Sequence, residues 1–444
     1  MTSDCREWRI SRAKASDAPA LKGGEPRSRH LFIQIYFRIK IGGSGMKKRK
    51  WPIAAMMTAV MALMLAACNS PTTNNNAKSD NGGGGDNVVN IGYSGPLSGP
   101  AAYYGERTLN GVKMAADEIN KNGGFEVNGK TYQINVVSLD DKYLPNETAA
   151  NAKRLVQEHH TPIIFTPHSG GVMALQVFNQ TDNFLIAAYT SEPKITQAGN
   201  KLTIRIPPRY DGYIPTFTYY VMKRFGKKLA ALPTATQYGK DWTEKLLPYW
   251  EKQGGEVVYN TSIDFTKDTD FFTIITNALK EKPDVLFIGG PSEPTAKVAK
   301  QARELGFKGG FIVMDQAKLD EMKRVVGSYE MLEGAIGVMP LVESKEPGAP
   351  QFVENYRAKY NAEASSESAY NYLALYAFVE AMKAAGTVDD PAAIREHMNE
   401  GLKNIPKDKQ VYVVPKVGED GGFESKIIVA AVENGKVVPI ELKK

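Results

Sequence analysis

Cysteine is nearly absent. The chain has two, Cys5 and Cys68, in 444 residues, so residues 69–444 hold no disulfide and no thiol nucleophile. Their stability must come from a buried core, and their length is ample for two domains of ordinary size. Histidine is scarce too, with five residues. His159 and His160 are adjacent and face different ways near a helix end, a spacing that supports no metal site. Excess positive charge is missing where it would matter. The whole chain carries 55 basic and 49 acidic residues, net +6, but 13 basic and 4 acidic fall within residues 1–67. Residues 68–444 therefore hold 42 basic and 45 acidic, net −3. With no basic stripe, a nucleic-acid partner is excluded. The glycine run at 82–85 lacks the Lys-Ser/Thr of a phosphate loop, so it indicates no nucleotide. No cofactor is expected.

What the chain does have begins at Met46. Lys47, Lys48, Arg49 and Lys50 form a basic n-region, and residues 51–67 are an uncharged, mostly apolar run closed by Leu65-Ala66-Ala67-Cys68. This is a secretory signal, too short and too cleanly terminated for a dedicated membrane span. A membrane-anchoring helix with a chance cysteine is the competing reading. The closing residues resemble the lipobox of bacterial lipoproteins, which implies lipidation at Cys68, cleavage before it, and anchoring on the outer face of the cell membrane. Residues 1–45 precede a complete signal peptide and are expected to be a mis-called extension. Gly42 and Gly43 have codons beginning GG just upstream of Met46, where a ribosome-binding site would fall. Residues 68–87, polar and Gly-rich, are expected to be a flexible tether.

From residue 88 apolar runs alternate with helical spacing. Strands are expected at 88–95, 131–141, 162–166, 184–189, 227–233, 254–260, 283–290 and 309–315, with helices between them. That alternation predicts α/β architecture with parallel sheets, and the break near 205–213 predicts two sheets. "VYVVP" (411–415), "ESKIIVAAV" (424–432) and "GKVVPIEL" (435–442) are expected to be closely spaced strands.

"IGYSGPLSGPAAYYGERTLNGVKMAADEINKNGG" (91–124) resembles the branched-chain amino-acid-binding proteins of ABC importers, which have the type I periplasmic-binding fold. "TATQYGKDWTEKL" (234–246), "DFTKDTDFFTIITNALKEKPDVLFIGG" (264–290) and "AKVAKQARELGFKGGFIVMD" (296–315) follow in the family's order. The resemblance implies two doubly wound lobes with mainly parallel sheets, joined by a three-stranded hinge. Lobe one would be 88–207 plus 340–410, and lobe two 208–339 plus 411–444. The chain would cross near Pro207 to Arg209, near Met339 to Pro340 and near Val411 to Pro415. It also implies an extracytoplasmic, monomeric receptor that captures a small amino acid, branched-chain by default, or a related carboxylate. The receptor would deliver it to an ABC permease and its ATPase subunits, with no covalent chemistry.

By position, Ser169 matches the family serine that meets the ligand carboxylate. The N–H groups of Gly170 and Gly171 would share that anion at a helix start, while a plain helix cap is the alternative role for Ser169. Tyr189 would contribute its backbone and Ser191 its hydroxyl. An ordinary turn before Pro193 is the alternative there. Asp315 falls where the family places an acid against the ligand ammonium, and capping of a helix over 316–326 is its alternative. Tyr104 and Tyr238 match the aromatic walls of the two lobes. The family usually has further Ser or Thr where this chain has Gly170-Gly171, and an aromatic where Pro291-Ser292-Glu293 stands. Polar amino acids, amides and aromatic acids thus stand beside leucine, isoleucine and valine as ligands.

Two rival readings follow from the same residues. "PHSGG" (167–171) is one residue from the G-x-S-x-G nucleophile elbow of hydrolases. Pro167 replaces the Gly that permits the strained turn, and the one later histidine, His397, lies in a charged helical segment. The other rival is a sensor module of this fold, coupled to a membrane signalling partner.

Overall fold

A computed structural model describes residues 87–443. The expected leader, signal peptide, Cys68 and the tether up to residue 86 lie outside the described residues. The first sheet contains β1 (Val88–Gly95), β2 (Phe125–Val127), β3 (Lys130–Asp140), β4 (Ile163–Thr166), β5 (Leu185–Ala188) and β6 (Thr203–Arg205), in the order β2-β3-β1-β4-β5-β6. Every pairing is parallel except the β2–β3 hairpin. Residues in β4, β5 and β6 are buried throughout, because helices cover both faces of a parallel sheet.

The second sheet contains β7 (Lys228–Pro233), β8 (Glu256–Asn260), β9 (Val285–Gly289), β10 (Gly310–Val313), β11 (Ala335–Val338), β12 (Val429–Glu433) and β13 (Lys436–Ile440). Its order is β13-β12-β11-β10-β9-β7-β8, parallel from β8 to β11 and antiparallel at β12 and β13. The α/β architecture with two mainly parallel sheets is as the alternation implies.

The helix Ser366–Ala385 supplies much of the first sheet's core. Sixteen of its 20 residues are buried, so it presents no solvent stripe and must be enclosed on all sides. It packs against the helix Ala102–Lys121 at a distance only glycine allows. A Cβ on Gly111 would lie 2.1 Å from the Ser368 carbonyl oxygen.

Several elements differ from expectation. The β2–β3 hairpin turns through Asn128 and Gly129 at φ of 50° and 75°, the left-handed pair of a tight two-residue turn. β6 and β11 are also additional. Residues 411–415 form no strand. Val411, Val417 and Phe423 pack into the first sheet's core instead, while Ile427 packs with the second. The third crossing is therefore after Phe423, not at Val411 to Pro415. Expected lobe-two residues 411–423 pack with the first sheet, because Val411, Val417 and Phe423 are buried in its core and Phe423 N donates to the Arg205 carbonyl at 2.8 Å.

Candidate functional site

The loops after β4, β5 and β10 and the helix after β7 meet at the C-terminal ends of both sheets, where open α/β sheets bind ligands. Together with the helix Ala102–Lys121, they bring Tyr104, Ser169, Tyr189, Ser191, Tyr238 and Asp315 into the wall of one cavity. Its free space is about 330 Å³, and its two sides touch where Gln316 meets Tyr143 at 2.8 Å. Ser94, at the end of β1, is not in the wall. Its hydroxyl donates to Asp141 at 3.2 Å.

The start of the helix Ser169–Gln176 is built differently from expectation. His168 is the cap, and its Nδ1 accepts from Gly171 N at 3.0 Å. Since Nδ1 is the acceptor, Nε2 carries the proton and donates to Asp141 Oδ2 at 3.0 Å. The buried Asp141 also accepts from Thr148 Oγ1 at 2.8 Å and from Tyr143 N at 2.9 Å. One alternative and one expectation are corrected here. Ser169 is not the cap, and the Gly171 N–H is committed to His168, so it cannot share a ligand anion. Gly170 is outside the cavity wall, and a Cβ there would meet Pro145 Cγ at 2.9 Å. The Ser169 hydroxyl is freed from capping and pairs with Thr190 Oγ1 at 2.7 Å. Among the described residues no imidazole hydrogen-bonds to it, and His397 Nδ1 is at 2.9 Å from the Ala393 carbonyl oxygen in its own helix.

On the opposite wall, Asp315 Oδ1 accepts from the Tyr238 hydroxyl and from Trp242 Nε1, the latter at 3.0 Å. Burial, reinforced by the Asp315 charge, holds the Tyr238 phenol well above its usual pKa, so it stays a donor. Asp315 does not cap the next helix, which starts at Leu319 after Lys318. Both bonds fall on Oδ1, so they leave Oδ2 uncommitted. Tyr104 donates to the Pro167 carbonyl at 2.7 Å and lies 6.4 Å from the Tyr189 ring.

Residues not singled out from sequence complete the wall. Gln316 Nε2 donates across the cavity to the Tyr143 hydroxyl at 2.8 Å. Lys318, only 5% exposed, donates to the carbonyls of Asp315 and Gln316 and pairs at 3.1 Å with Glu367 Oε1, on the helix of the first sheet. Burial opposes the Lys318 charge, but Glu367, Asp315 and Glu321 outweigh it and raise its pKa.

Two carboxyl clusters cross between the sheets' units beside this cavity. Glu192, after β5, faces Asp241, on the helix after β7, and both are fully buried. Burial and then the Asp241 charge push Glu192 up to about 8, with Lys194 opposing. On the other flank Glu321 rises to about 8, through burial and then Glu367. Asp320 rises to about 6, through burial above all, with Glu367 adding.

The chain matches the periplasmic binding protein family over residues 88–436. It is 27% identical over 313 residues to an amino acid binding protein of Pseudomonas aeruginosa, covering 69% of this chain and 81% of that one. It is 23% identical over 312 residues to the Leu/Ile/Val-binding protein of Escherichia coli, covering 70% and 82%. The structure of a leucine binding protein from Thermotoga maritima superposes with a TM-score of 0.68 at 22% identity, covering 80% of this chain and 98% of that one. With the family match running almost the whole length of the two-sheet region that builds this cavity, the chain belongs to the periplasmic binding protein family.

Proposed function

We propose that this chain is the extracytoplasmic solute receptor of an ABC importer, holding an α-amino acid or related carboxylate between its two sheets' lobes and releasing it to the permease. The observation that carries this is the cavity itself, with hydroxyls on one wall and a carboxylate on the other, at the strand ends of both sheets. Ser169 and Thr190 meet the ligand carboxylate, and Asp315 Oδ2 meets its ammonium. Tyr104, Tyr189 and Tyr238 flank it, with Ser191 beside Tyr238. A ligand touching both lobes favours the closed arrangement by its differential contacts. The chain performs no covalent step, acts as a monomer, and is held to the membrane through lipid on Cys68.

Calorimetry of the purified protein against an amino-acid panel tests this reading. Ser169→Ala weakens binding by about 1–3 kcal/mol, the cost of removing a hydrogen bond to a charged group. Unchanged affinity would remove Ser169 from the site.

Closure also takes up protons. Glu192 and Glu321 have pKa values near 8 when enclosed between the lobes, whereas solvent-exposed carboxyls titrate near 4.3. The closed form therefore binds more protons between these limits. Its advantage is fully present below about pH 4.3 and is lost as pH rises through about 8. The ligand's own carboxylate and ammonium keep their charges between pH 6 and 8. Affinity is expected to fall over that interval, by up to about tenfold per pH unit for each linked proton. Calorimetry in two buffers of different ionisation enthalpy should register proton uptake on binding, and Glu192→Gln should flatten the profile. A rise in affinity with pH would sink the linkage.

A further inference from the structure

The cavity wall has an unusual composition for a site that would hold an aliphatic side chain. Among the described residues, no leucine, isoleucine, valine, alanine, methionine or phenylalanine lines it, and its apolar surface comes from Pro167, Pro207 and the faces of tyrosine rings. One polar atom there is left over. Gln316 is 7% exposed, its Nε2 is spent on the Tyr143 hydroxyl, and its Oε1 is buried with no hydrogen-bond partner. Reversing the amide does not remove the deficit. Tyr143 would then donate to Oε1, and Nε2 would be the orphan.

Buried amide atoms without partners are uncommon and carry a desolvation cost that a fitting ligand removes. Gln316 is fixed for that role from two sides. Its own carbonyl accepts from Lys318 Nζ at 3.2 Å, and its side chain reaches across to Tyr143. It is also the residue after Asp315. A ligand whose ammonium meets Asp315 therefore has Gln316 and its bond to Tyr143 as immediate neighbours. A second wall atom, Ser191 Oγ, is buried beside the Tyr238 phenol without a hydrogen bond of proper geometry.

We infer that this receptor selects small α-amino acids with an uncharged hydroxyl or amide side chain over branched-chain aliphatic ones, with Gln316 as the specificity-determining residue. This rests on reading the cavity as an amino-acid site. A hydroxyl or amide both donates and accepts, so it satisfies the free end of Gln316 in either amide orientation. An aliphatic side chain of the same shape leaves that end unpaired, and sites built to hydrogen-bond a substrate group reject analogues lacking it. Charged side chains are disfavoured, because the Lys318 charge is already paired with Glu367. Asp315 serves one cation only.

Two near-isosteric pairs test the inference without altering the protein: threonine against valine, and asparagine against leucine. Calorimetry with the full purified protein should show at least one polar member binding ten- to a hundredfold tighter than its aliphatic partner. Gln316→Leu should bring that ratio to near one or reverse it. If valine and leucine bind the unaltered protein as tightly as threonine and asparagine, the inference is overturned. The aliphatic side chain would then be passing Tyr143 into the larger groove lined by Leu144, Phe265 and Pro291, and the amino-acid reading would stand. If no amino acid binds, that reading fails and this inference falls with it.

Discussion

Asp315→Asn is expected to weaken ligand binding by about 2–5 kcal/mol, roughly thirtyfold to several thousandfold, because it leaves a buried ammonium facing a neutral group. The substitution is nearly isosteric. An asparagine oxygen in the place of Oδ1 can still accept from the Tyr238 hydroxyl and Trp242 Nε1, so thermal unfolding of the ligand-free protein should move little. Asp315→Ala differs in that respect. It removes the acceptor from both the buried phenol and the indole, and each unpaired donor costs about 1–3 kcal/mol. The alanine variant should therefore lose both binding and stability, the asparagine variant chiefly binding. Calorimetry and thermal denaturation of the two variants make the comparison. Equal affinity of the asparagine variant and the unaltered protein would take the ammonium away from Asp315.

The contrast between the two walls also shows what a sequence can disclose. Ser169, Tyr189 and Asp315 follow apolar runs, and an apolar run that stops marks a strand's end. In a parallel sheet that end is where ligands sit, so strand-end residues of both sheets are legible in the sequence alone. The cap was not. Serine and histidine are adjacent at the helix start, and the usual preference for serine as a cap gives way to Asp141, which fixes the His168 tautomer from 27 residues away. The Asn128-Gly129 turn carried a readable hairpin signal that the helix-strand alternation obscured. Residues 411–415 misled because their valines and tyrosine suit a strand, while only Val411 is buried in the first core and Tyr412 and Val414 pack against it. Gln316 could have been suspected only as Asp315's neighbour. Its contact with Tyr143 spans 173 positions, and no local pattern encodes it.

Lys318 is the least legible of these residues and the one with the widest expected effect. Its partner Glu367 lies 49 positions onward, on a helix of the other lobe, and the two side chains are 6% and 1% exposed. On the proposed hinge motion, opening separates the pair and hydrates each charge. Closing buries them together at 3.1 Å. Lys318→Met leaves Glu367 to enter the closed interface beside Asp320 and Glu321 with no cation to offset it. It also strips a donor from the carbonyls of Asp315 and Gln316. Breaking a buried pair in this way costs about 3–5 kcal/mol. Because the penalty falls on closing, affinity should drop about a hundredfold or more, and small-angle scattering with ligand present should show an expanded particle. Replacing both charges, Lys318→Met with Glu367→Leu, should recover most of the loss, since a buried ion pair exchanged for apolar residues is often neutral or stabilising. A uniformly structural role would instead lower the unfolding temperature and leave the affinity of the folded protein alone. That outcome, or full affinity in the single variant, would show that the pair does not couple the ligand wall to closure.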